Sequence, residues 1–529
     1  MFLASVVGTD APVVAERSCE EETATGRTPL SRGVLVGVAV VVAIGLAIRL
    51  WMMTGSLGAI DSDEALTGLM ARHLLHGDFR AFMWRLNYQG TISTYPVAVS
   101  LRLFGTNQFA LELPFLVMSA GATVLVWRIA TRFLQPFQAV FAALTFWIWP
   151  AIFVWIGIKP LIFYAPTMVL GLATILCAQR AVRVERKRGW VGWLDWAGMG
   201  LFAGAGFWTS PNISYFVVPT AIWLLVFHWR ALWPPRVLVA VPFTLLGALP
   251  WIWNDAHDGW DSLKVDPGLA RGSYLDHLGY FFTHALPVAL GLRGPFDGRW
   301  IIGPGHVFLY ALVLLALAFA VVLGVWERSI GAIGMLACPF VFALVPFGSN
   351  LDTDWIGNGR YFYFFTPFVA LTVARLARPV AAASVVAVAL VLSSIWGYAR
   401  LYDNRDRIGA GPPLDAVIRT LERDHHYEVF ASFWTSARLT FDTEERIVGV
   451  ATDLGPTLQA FEDRVRGAAL PVYVCFADLD NIWNPIQGLR ARAKAAGITL
   501  QETRVGGYII VVPAGRMLAP PAWDISSRP

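Results

Sequence analysis

The stretch that decides the fold is DSDEALTGLMARHLLHGDFRAFMWRLNYQGTISTYP, residues 61–96. It is the first long polar interruption after an apolar run, and Asp61, Asp63 and Glu64 fall within its first four residues. Apolar residues at helical spacing follow, and Gly77 suits a helix end, so the pattern predicts a short amphipathic helix. The segment therefore places acidic side chains at a membrane surface.

The three carboxylates have two interpretations. Asp61 and Glu64 have the spacing of a capping box, in which each side chain accepts a hydrogen bond from the backbone N–H of the other residue. The capping box does not account for Asp63. Asp63 is therefore our candidate general base, since a base needs a fixed position close to the hydroxyl whose proton it removes.

The composition predicts an integral membrane protein with a soluble appendage. The chain has 529 residues, of which 56% are hydrophobic and only 15% are charged, and it contains 23 Trp. Its formal net charge is +4. We expect membrane lipid, and no nucleic acid, among its partners.

Apolar segments recur along the first three quarters of the chain, and about eleven are near the roughly 20 residues that a helix needs to cross a bilayer. They are 34–53, 109–129, 137–155, 161–179, 193–208, 213–229, 237–253, 307–325, 330–347, 361–374 and 380–396. We therefore predict an α-helical polytopic membrane protein. Its predicted parts are a disordered cytoplasmic tail at 1–32, a multispan catalytic domain at 33–400 with an outer loop at 54–108, and a small domain at 401–529.

The last segment changes character, with more charge and shorter elements. The pattern predicts helices at 414–424, 456–466 and 486–496, strands at 427–433 and 471–476, and a hairpin of 500–505 with 508–512 across Gly506 and Gly507. Alternating helices and strands indicate a small α/β domain.

Orientation follows from the basic residues in the short loops. If the N-terminus is cytoplasmic, every inner turn carries Arg, as the positive-inside rule requires. An odd number of spans then places the C-terminal domain outside, together with the loop at 54–108 and residues 156–160, 254–306 and 348–360. The expected location is the plasma membrane, with several spans.

Three motifs carry a resemblance to a known family. DEALTGLMARHLLHGDF at 63–79, YQGTISTYP at 88–96 and LFGTNQFALELPFL at 103–116 resemble the first outer loop of the family 39 glycosyltransferases. This group includes the protein O-mannosyltransferases and the aminoarabinose transferase of lipid A. The resemblance implies the C-type glycosyltransferase fold and a polyprenyl-phosphate sugar donor.

The resemblance also implies roles for individual residues. Asp63 matches the catalytic Asp, and Glu64 matches the acid beside it. Two departures concern the substrates: Glu112 stands where relatives often have Arg, and Gln89, Gly90 and Thr91 stand where the lipid A enzymes have Lys-Pro. The donor and the acceptor therefore need not be those of the relatives.

A donor that leaves as lipid phosphate needs cations on the outer face. Arg360 is the first candidate because it resembles the family's Arg-Tyr before a late span and because its planar fork matches two phosphate oxygens. Lys159 and Arg293 are further candidates. The alternatives are that Arg360 snorkels to the interface and that Lys159 anchors a span there. Trp84, Tyr88 and Gln89 are the predicted contacts to the acceptor or the sugar.

The sequence specifies no cofactor and no dedicated metal site. The histidines at 254–306 lack the spacing of a metal motif. A labile divalent metal ion between Asp63 or Glu64 and the donor phosphate stays open.

The function predicted from these features is transfer of a sugar, with inversion, from a polyprenyl-phosphate donor to a hydroxyl on the extracytoplasmic face. The acceptor is a glycan, a lipid or a protein. Asp63 is the base, Glu64 and Asp61 orient the acceptor or a metal ion, and Arg360 stabilises the leaving phosphate. The alternatives are a transporter or flippase of lipid-linked glycans and a noncatalytic glycan-binding protein. Nearly uncharged spans and acids clustered in one outer loop favour the enzyme over the transporter.

The predicted topology can be tested with a reporter that is active only outside the cytoplasm. We expect activity when it is fused after Pro529 and none when it is fused within residues 183–188, because the inner turns are basic and the number of spans is odd. The reverse pattern would move Asp63 to the cytoplasmic side and contradict the site assignment.

Overall fold

The structure is a computed structural model. It describes residues 32–84, 86, 88–184, 191–233, 235–264, 273–344, 360–377, 380–405, 411–453, 458–478, 484–515 and 518. Most of the predicted cytoplasmic tail and residues 348–359 of one predicted outer region lie outside this part of the chain.

Helices dominate the chain up to residue 403. They are α1 Arg32–Thr54, α2 Ser62–Leu75, α3 Thr94–Phe104, α4 Gln108–Ala130, α5 Pro136–Ile148, α6 Ala151–Ile156, α7 Tyr164–Val184, α8 Val191–Thr209, α9 Ser214–Phe227, α10 Ala240–Gly247, α11 Leu249–His257, α12 Tyr274–Tyr280, α13 Leu286–Ala289, α14 His306–Trp326, α15 Ile330–Leu344, α16 Thr366–Leu376 and α17 Val380–Asp403. The prediction of a helical polytopic membrane protein is confirmed.

The number of spans stays a prediction. Within the described residues, five helices (α1, α4, α7, α14 and α17) are long and apolar enough to cross a membrane. Val237–Gly247 and Leu249–His257 form a pair bent by 55°, which would make a sixth span. The predicted span at 137–155 is broken between α5 and α6, because the residue before Pro150 is disfavoured in the helical conformation.

Small residues allow close packing inside the helical domain. A Cβ at Gly200 would lie 2.1 Å from the carbonyl oxygen of Ala240, and a Cβ at Gly204 would lie 2.0 Å from that of Thr244. Helices α8 and α10 therefore approach with backbone against backbone. Small residues spaced by four are typical of helix pairs in membranes, where packing rather than water exclusion holds helices together.

Helix α3 was not predicted, because the sequence analysis treated 54–108 as one loop. The helix buries Val97 and Leu101 and exposes Val99, Leu103 and Phe104. An exposed apolar strip on a short helix beside membrane spans is typical of a helix that lies at the lipid interface.

The C-terminal segment forms an α/β domain around a five-stranded sheet with strand order β2-β1-β3-β5-β4. Its strands are β1 Glu428–Ala431, β2 Val448–Ala451, β3 Val472–Phe476, β4 Leu500–Val505 and β5 Tyr508–Pro513, and its helices are α18 Asp415–Arg423, α19 Phe433–Asp442, α20 Gln459–Gly467 and α21 Ile486–Ala496. β1, β2 and β3 are parallel, and the predicted hairpin of β4 and β5 is antiparallel.

Two elements of this domain were missed. The predicted strand at 427–433 ends at Ala431, and helix α19 begins at Phe433. Helix α19 and strand β2 are buried along almost their whole length, so neither shows the alternation of polar and apolar residues that marks a half-exposed element. Helix α19 packs against α2, which brings the C-terminal domain onto the predicted site.

Candidate active site

The start of α2 has the capping box that its sequence predicts. Asp61 precedes the helix, and its Oδ1 accepts a hydrogen bond of 3.0 Å from the backbone N–H of Glu64. Glu64 Oε2 in turn accepts a bond of 2.8 Å from the N–H of Asp61. Both acids are thus engaged by the backbone, and the capping box does not involve the side chain of Asp63, which also lies in the first turn.

Glu64 also belongs to a buried ion-pair cluster. Its Oε1 lies 2.8 Å from Nζ of Lys159, which lies 3.4 Å from Oε1 of Glu112. The same ammonium donates to the carbonyls of Gly58 and Ala59 at 3.2 and 3.1 Å. The cluster ties the start of α2 to helix α4 and to the loop after α6.

The three charged groups of this cluster are almost fully removed from solvent, with exposures of 0% for Glu64 and Glu112 and 2% for Lys159. Burial raises the pKa of Glu64, and Lys159 opposes that rise. Burial acts to lower the pKa of Lys159, but Glu64 and Glu112 outweigh it and raise that pKa. We conclude that Lys159 is charged and that it is shared by the two carboxylates.

The position of Lys159 corrects the sequence analysis. An interfacial anchor would extend its ammonium toward water, whereas Lys159 is buried and its ammonium contacts carboxylates and carbonyls inside the protein. These partners engage the ammonium that we had expected to meet a donor phosphate. Glu112, one departure from the family pattern, is the second carboxyl group that contacts the Lys159 ammonium.

Asp63 lies in a different group of side chains, together with Arg360 and Tyr88. Arg360 begins the 3₁₀ segment Arg360–Phe365. Burial acts to lower the pKa of Arg360, but Tyr164, Tyr361, Asp63 and Asp61 outweigh it and the pKa is raised. Arg360 therefore stays protonated within electrostatic range of both aspartates.

Tyr88 completes this group. Burial, with smaller contributions from Tyr361 and Asp63, raises the pKa of Tyr88 to about 12, against the effect of Arg360. Tyr88 is therefore a neutral phenol at physiological pH, which can donate one hydrogen bond and accept others. Of the predicted residues, Asp61, Asp63 and Tyr88 lie within electrostatic range of Arg360.

Aromatic side chains lie close to Arg360. The guanidinium of Arg360 lies 5.5 Å from the ring centre of Tyr361. Tyr164 stacks on Phe163 at 4.3 Å and on Phe364 at 5.7 Å. The sequence analysis missed Tyr164, because a Tyr at the start of an apolar helix gives no signal that separates it from other interfacial aromatics.

The remaining predicted residues lie elsewhere. Arg293 donates to the carbonyls of Gly298 and Thr283. Its guanidinium therefore binds backbone groups that are close to it in the chain. Trp84 is 6% exposed and packs edge-on against His73 and Phe461 rather than offering a face to a sugar. Gln89 is buried as well, and its backbone carbonyl accepts from Met83.

No three His, Cys, Asp or Glu side chains among the described residues are arranged to hold a metal ion. A divalent ion held between Asp63 or Glu64 and the donor phosphate stays open, as in the sequence analysis. Mg²⁺ is commonly held in this way, by one or two carboxylates and the oxygens of the substrate.

The ion-pair cluster predicts the result of removing its cation. We expect Lys159→Met to lower the free energy of unfolding by about 3–5 kcal/mol, because two buried carboxylates would lose their counter-charge. Thermal melting of the detergent-solubilised protein measures this change.

The matched control is the triple variant Lys159→Met, Glu64→Gln, Glu112→Gln, which removes the charges together and should recover most of the lost stability. A Lys159→Met protein that melts like the wild type would mean that Lys159 is not the counter-ion of these acids.

Comparisons with known proteins concern the fold and part of the sequence. Residues 91–253 match the family model described as dolichyl-phosphate-mannose-protein mannosyltransferase. No curated protein sequence matches the chain significantly.

The solved structure of ArnT from Cupriavidus metallidurans in the apo state is similar over 90% of this chain and 98% of its own, with a TM-score of 0.56 and 12% identity. The structure of the same enzyme bound to undecaprenyl phosphate is similar over 89% and 97%, with a TM-score of 0.57 and 12% identity. At this identity, the likeness establishes the fold. The prediction of the C-type glycosyltransferase fold is therefore confirmed, and residues 91–253 are similar to the mannosyltransferase family that the sequence motifs resemble.

Proposed function

We propose that the chain transfers a sugar from a polyprenyl-phosphate donor to a hydroxyl acceptor on the extracytoplasmic face, with inversion at the anomeric carbon. The observation that carries this proposal is that Asp63, in the first turn of α2, lies within electrostatic range of Arg360 and of Tyr88. A base, a fixed cation and a neutral phenol are the groups that such a transfer needs.

In the proposed reaction, the acceptor oxygen attacks the anomeric carbon while Asp63 takes the proton of the hydroxyl. The bond from that carbon to the phosphate oxygen breaks, and the phosphate leaves with the bonding electrons. Arg360 stabilises the negative charge that grows on the phosphate. Attack opposite the leaving group inverts the configuration.

Neighbouring residues hold Asp63 in place for this step. Asp61 binds the N–H of Glu64, and Glu64 is fixed by Lys159, so the residues flanking Asp63 are anchored on both sides. The side chain of Glu64 is buried in the ion-pair cluster, and we therefore assign it a positioning role instead of the direct contact with acceptor or metal predicted from the sequence. Tyr88 is the proposed hydrogen-bond partner of the acceptor or the sugar.

The proposal includes the location of the parts of the chain. Residues 33–400 form the multispan catalytic domain in the plasma membrane, the N-terminus is cytoplasmic, and residues 401–529 form an extracytoplasmic domain. The basic inner turns support this orientation. The ion pairs of Arg72 and His73 with Glu445 also support it, because they join the C-terminal domain to the helix that carries Asp63.

The variant Asp63→Asn, which replaces the carboxylate by an amide, tests the role of Asp63. We expect purified wild-type protein, given a panel of radiolabelled polyprenyl-phosphate sugars and hydroxyl acceptors, to release free polyprenyl phosphate with one of them. Asp63→Asn should lower that turnover by at least about a hundredfold, because the amide keeps the shape but cannot take the proton.

Asp61→Asn is the matched control for this variant. It should cost far less, because Asn caps a helix nearly as well as Asp. Equal and mild losses in the two variants would reduce both residues to capping. Wild-type protein that releases no polyprenyl phosphate with any donor would contradict the proposed function itself.

The variant Arg360→Lys tests the role of Arg360. We expect Arg360→Lys to lower turnover by roughly ten- to a hundredfold with little change in thermal stability, since an ammonium cannot reproduce two parallel hydrogen bonds to phosphate. The same release assay measures it, with a melting curve as the control for folding. Full activity in Arg360→Lys would mean that the residue only anchors its segment.

A further inference from the structure

We propose that the C-terminal domain positions the catalytic base, and that helix α19 does so by clamping α2 against the membrane domain. The inference rests on the proposed function, since it concerns the placement of Asp63 during the transfer. Contacts along the whole length of α2 support it, at the start, the middle and the end of the helix.

At its start, α2 is bonded to the C-terminal domain beside Asp63. Ser62 is fully buried, and its hydroxyl donates a hydrogen bond of 2.7 Å to the backbone carbonyl of Phe433, the first residue of α19. Asp453 fixes that turn from within the domain, because its Oδ1 accepts a bond of 2.8 Å from the N–H of Phe433. A shift of the domain is therefore transmitted to the residue that precedes Asp63.

In the middle, α2 and α19 touch without a side chain of α2 between them. A Cβ at Gly68 would lie 2.3 Å from Cε2 of Phe441, a distance that real Cβ atoms do not show. The ring of Phe441 is 1% exposed and occupies the space above Gly68. Any side chain at position 68 must push α19 away from α2 or displace this ring.

At its end, α2 is held by polar contacts to the turn after α19. His73 Nε2 lies 3.2 Å from Oε2 of Glu445, and Arg72 donates to the carbonyl of Glu444 at 3.3 Å. The hydrogen bond from His73, with burial opposing it, lowers the pKa of Glu445, so that this carboxylate stays ionised. The contacts from Ser62 to His73 span about 16 Å of helix.

The opposite support comes from the membrane domain. Glu64 is paired with Lys159, and the hydroxyl of Thr67 donates to the carbonyl of Pro160 at 3.1 Å. Helix α2 is thus held between the loop after α6 and helix α19. If either support moves, the carboxylate of Asp63 moves relative to Arg360, which is on a third segment.

A catalytic group that is misplaced by about 1 Å can lose about a hundredfold in rate, so the clamp should be visible in turnover. Removing a support should lower kcat while the KM for the lipid donor changes little, because the donor-phosphate contact belongs to Arg360. A domain that only adds stability would affect the melting temperature and leave kcat as it is.

The test uses full-length protein and the release assay. We expect Gly68→Ala to lower kcat by about ten- to a hundredfold at an unchanged KM for the donor. Gly121→Ala is the matched control, because Gly121 also lies within a helix and has nothing within 4 Å of the added Cβ. It should keep the wild-type kcat.

A compensating variant distinguishes a displaced clamp from a misfolded protein. Phe441→Val removes the three ring atoms that lie within 3 Å of a Cβ at position 68, so the double variant Gly68→Ala, Phe441→Val should recover most of the kcat lost in Gly68→Ala. Ser62→Ala should also lower kcat, and Ser62→Thr, which keeps the hydroxyl, should retain more of it.

Wild-type kcat in both Gly68→Ala and Ser62→Ala would overturn the inference, and so would a lower melting temperature with unchanged kcat. In either case the wild-type protein would still release polyprenyl phosphate, so the proposed function would stand. A wild type without turnover would instead remove the proposed function.

Discussion

The site depends on one ammonium group, that of Lys159, which two buried carboxylates share. Glu64 and Glu112 come from segments far apart in the chain, and neither carboxylate meets solvent. A buried ion pair adds little net stability, because desolvating the charges costs about as much as their attraction returns. The ion pair instead fixes a position, because the first turn of α2 must lie where Glu64 can contact Lys159.

Position matters because the two reacting roles are assigned to different segments. Asp63 belongs to α2, whereas Arg360 begins the 3₁₀ segment Arg360–Phe365. Their geometry depends on everything that fixes α2. The capping box fixes its first turn, Lys159 and Pro160 hold one side, and helix α19 holds the other side. In the proposed reaction, a base held in this way would need no reorganisation when the hydroxyl arrives.

In our proposal, the role of the C-terminal domain is to hold helix α2 in place. Its ion pairs with α2 at Arg72 and His73 are partly exposed and are worth little by themselves, since water screens such pairs. The buried contacts at Ser62 and Gly68 are more specific. The buried hydroxyl of Ser62 needs a hydrogen-bond acceptor, which is the carbonyl of Phe433, and the ring of Phe441 fills the space beside Gly68.

The sequence by itself determined the features that depend on neighbours in the chain. The capping box at Asp61 and Glu64, the apolar character of the helices, the C-terminal hairpin and the resemblance that makes Asp63 the candidate base all rest on local patterns of a few residues. Only the tertiary structure decided which distant groups meet. Lys159 joins Glu64 and Glu112, Ser62 bonds a carbonyl 371 positions away, and Trp84 turns out to pack against Phe461 instead of facing a sugar. Charge attraction and hydrogen bonding act through space and leave no periodicity in the sequence, so a buried counter-ion and an interfacial anchor look alike until the chain is folded.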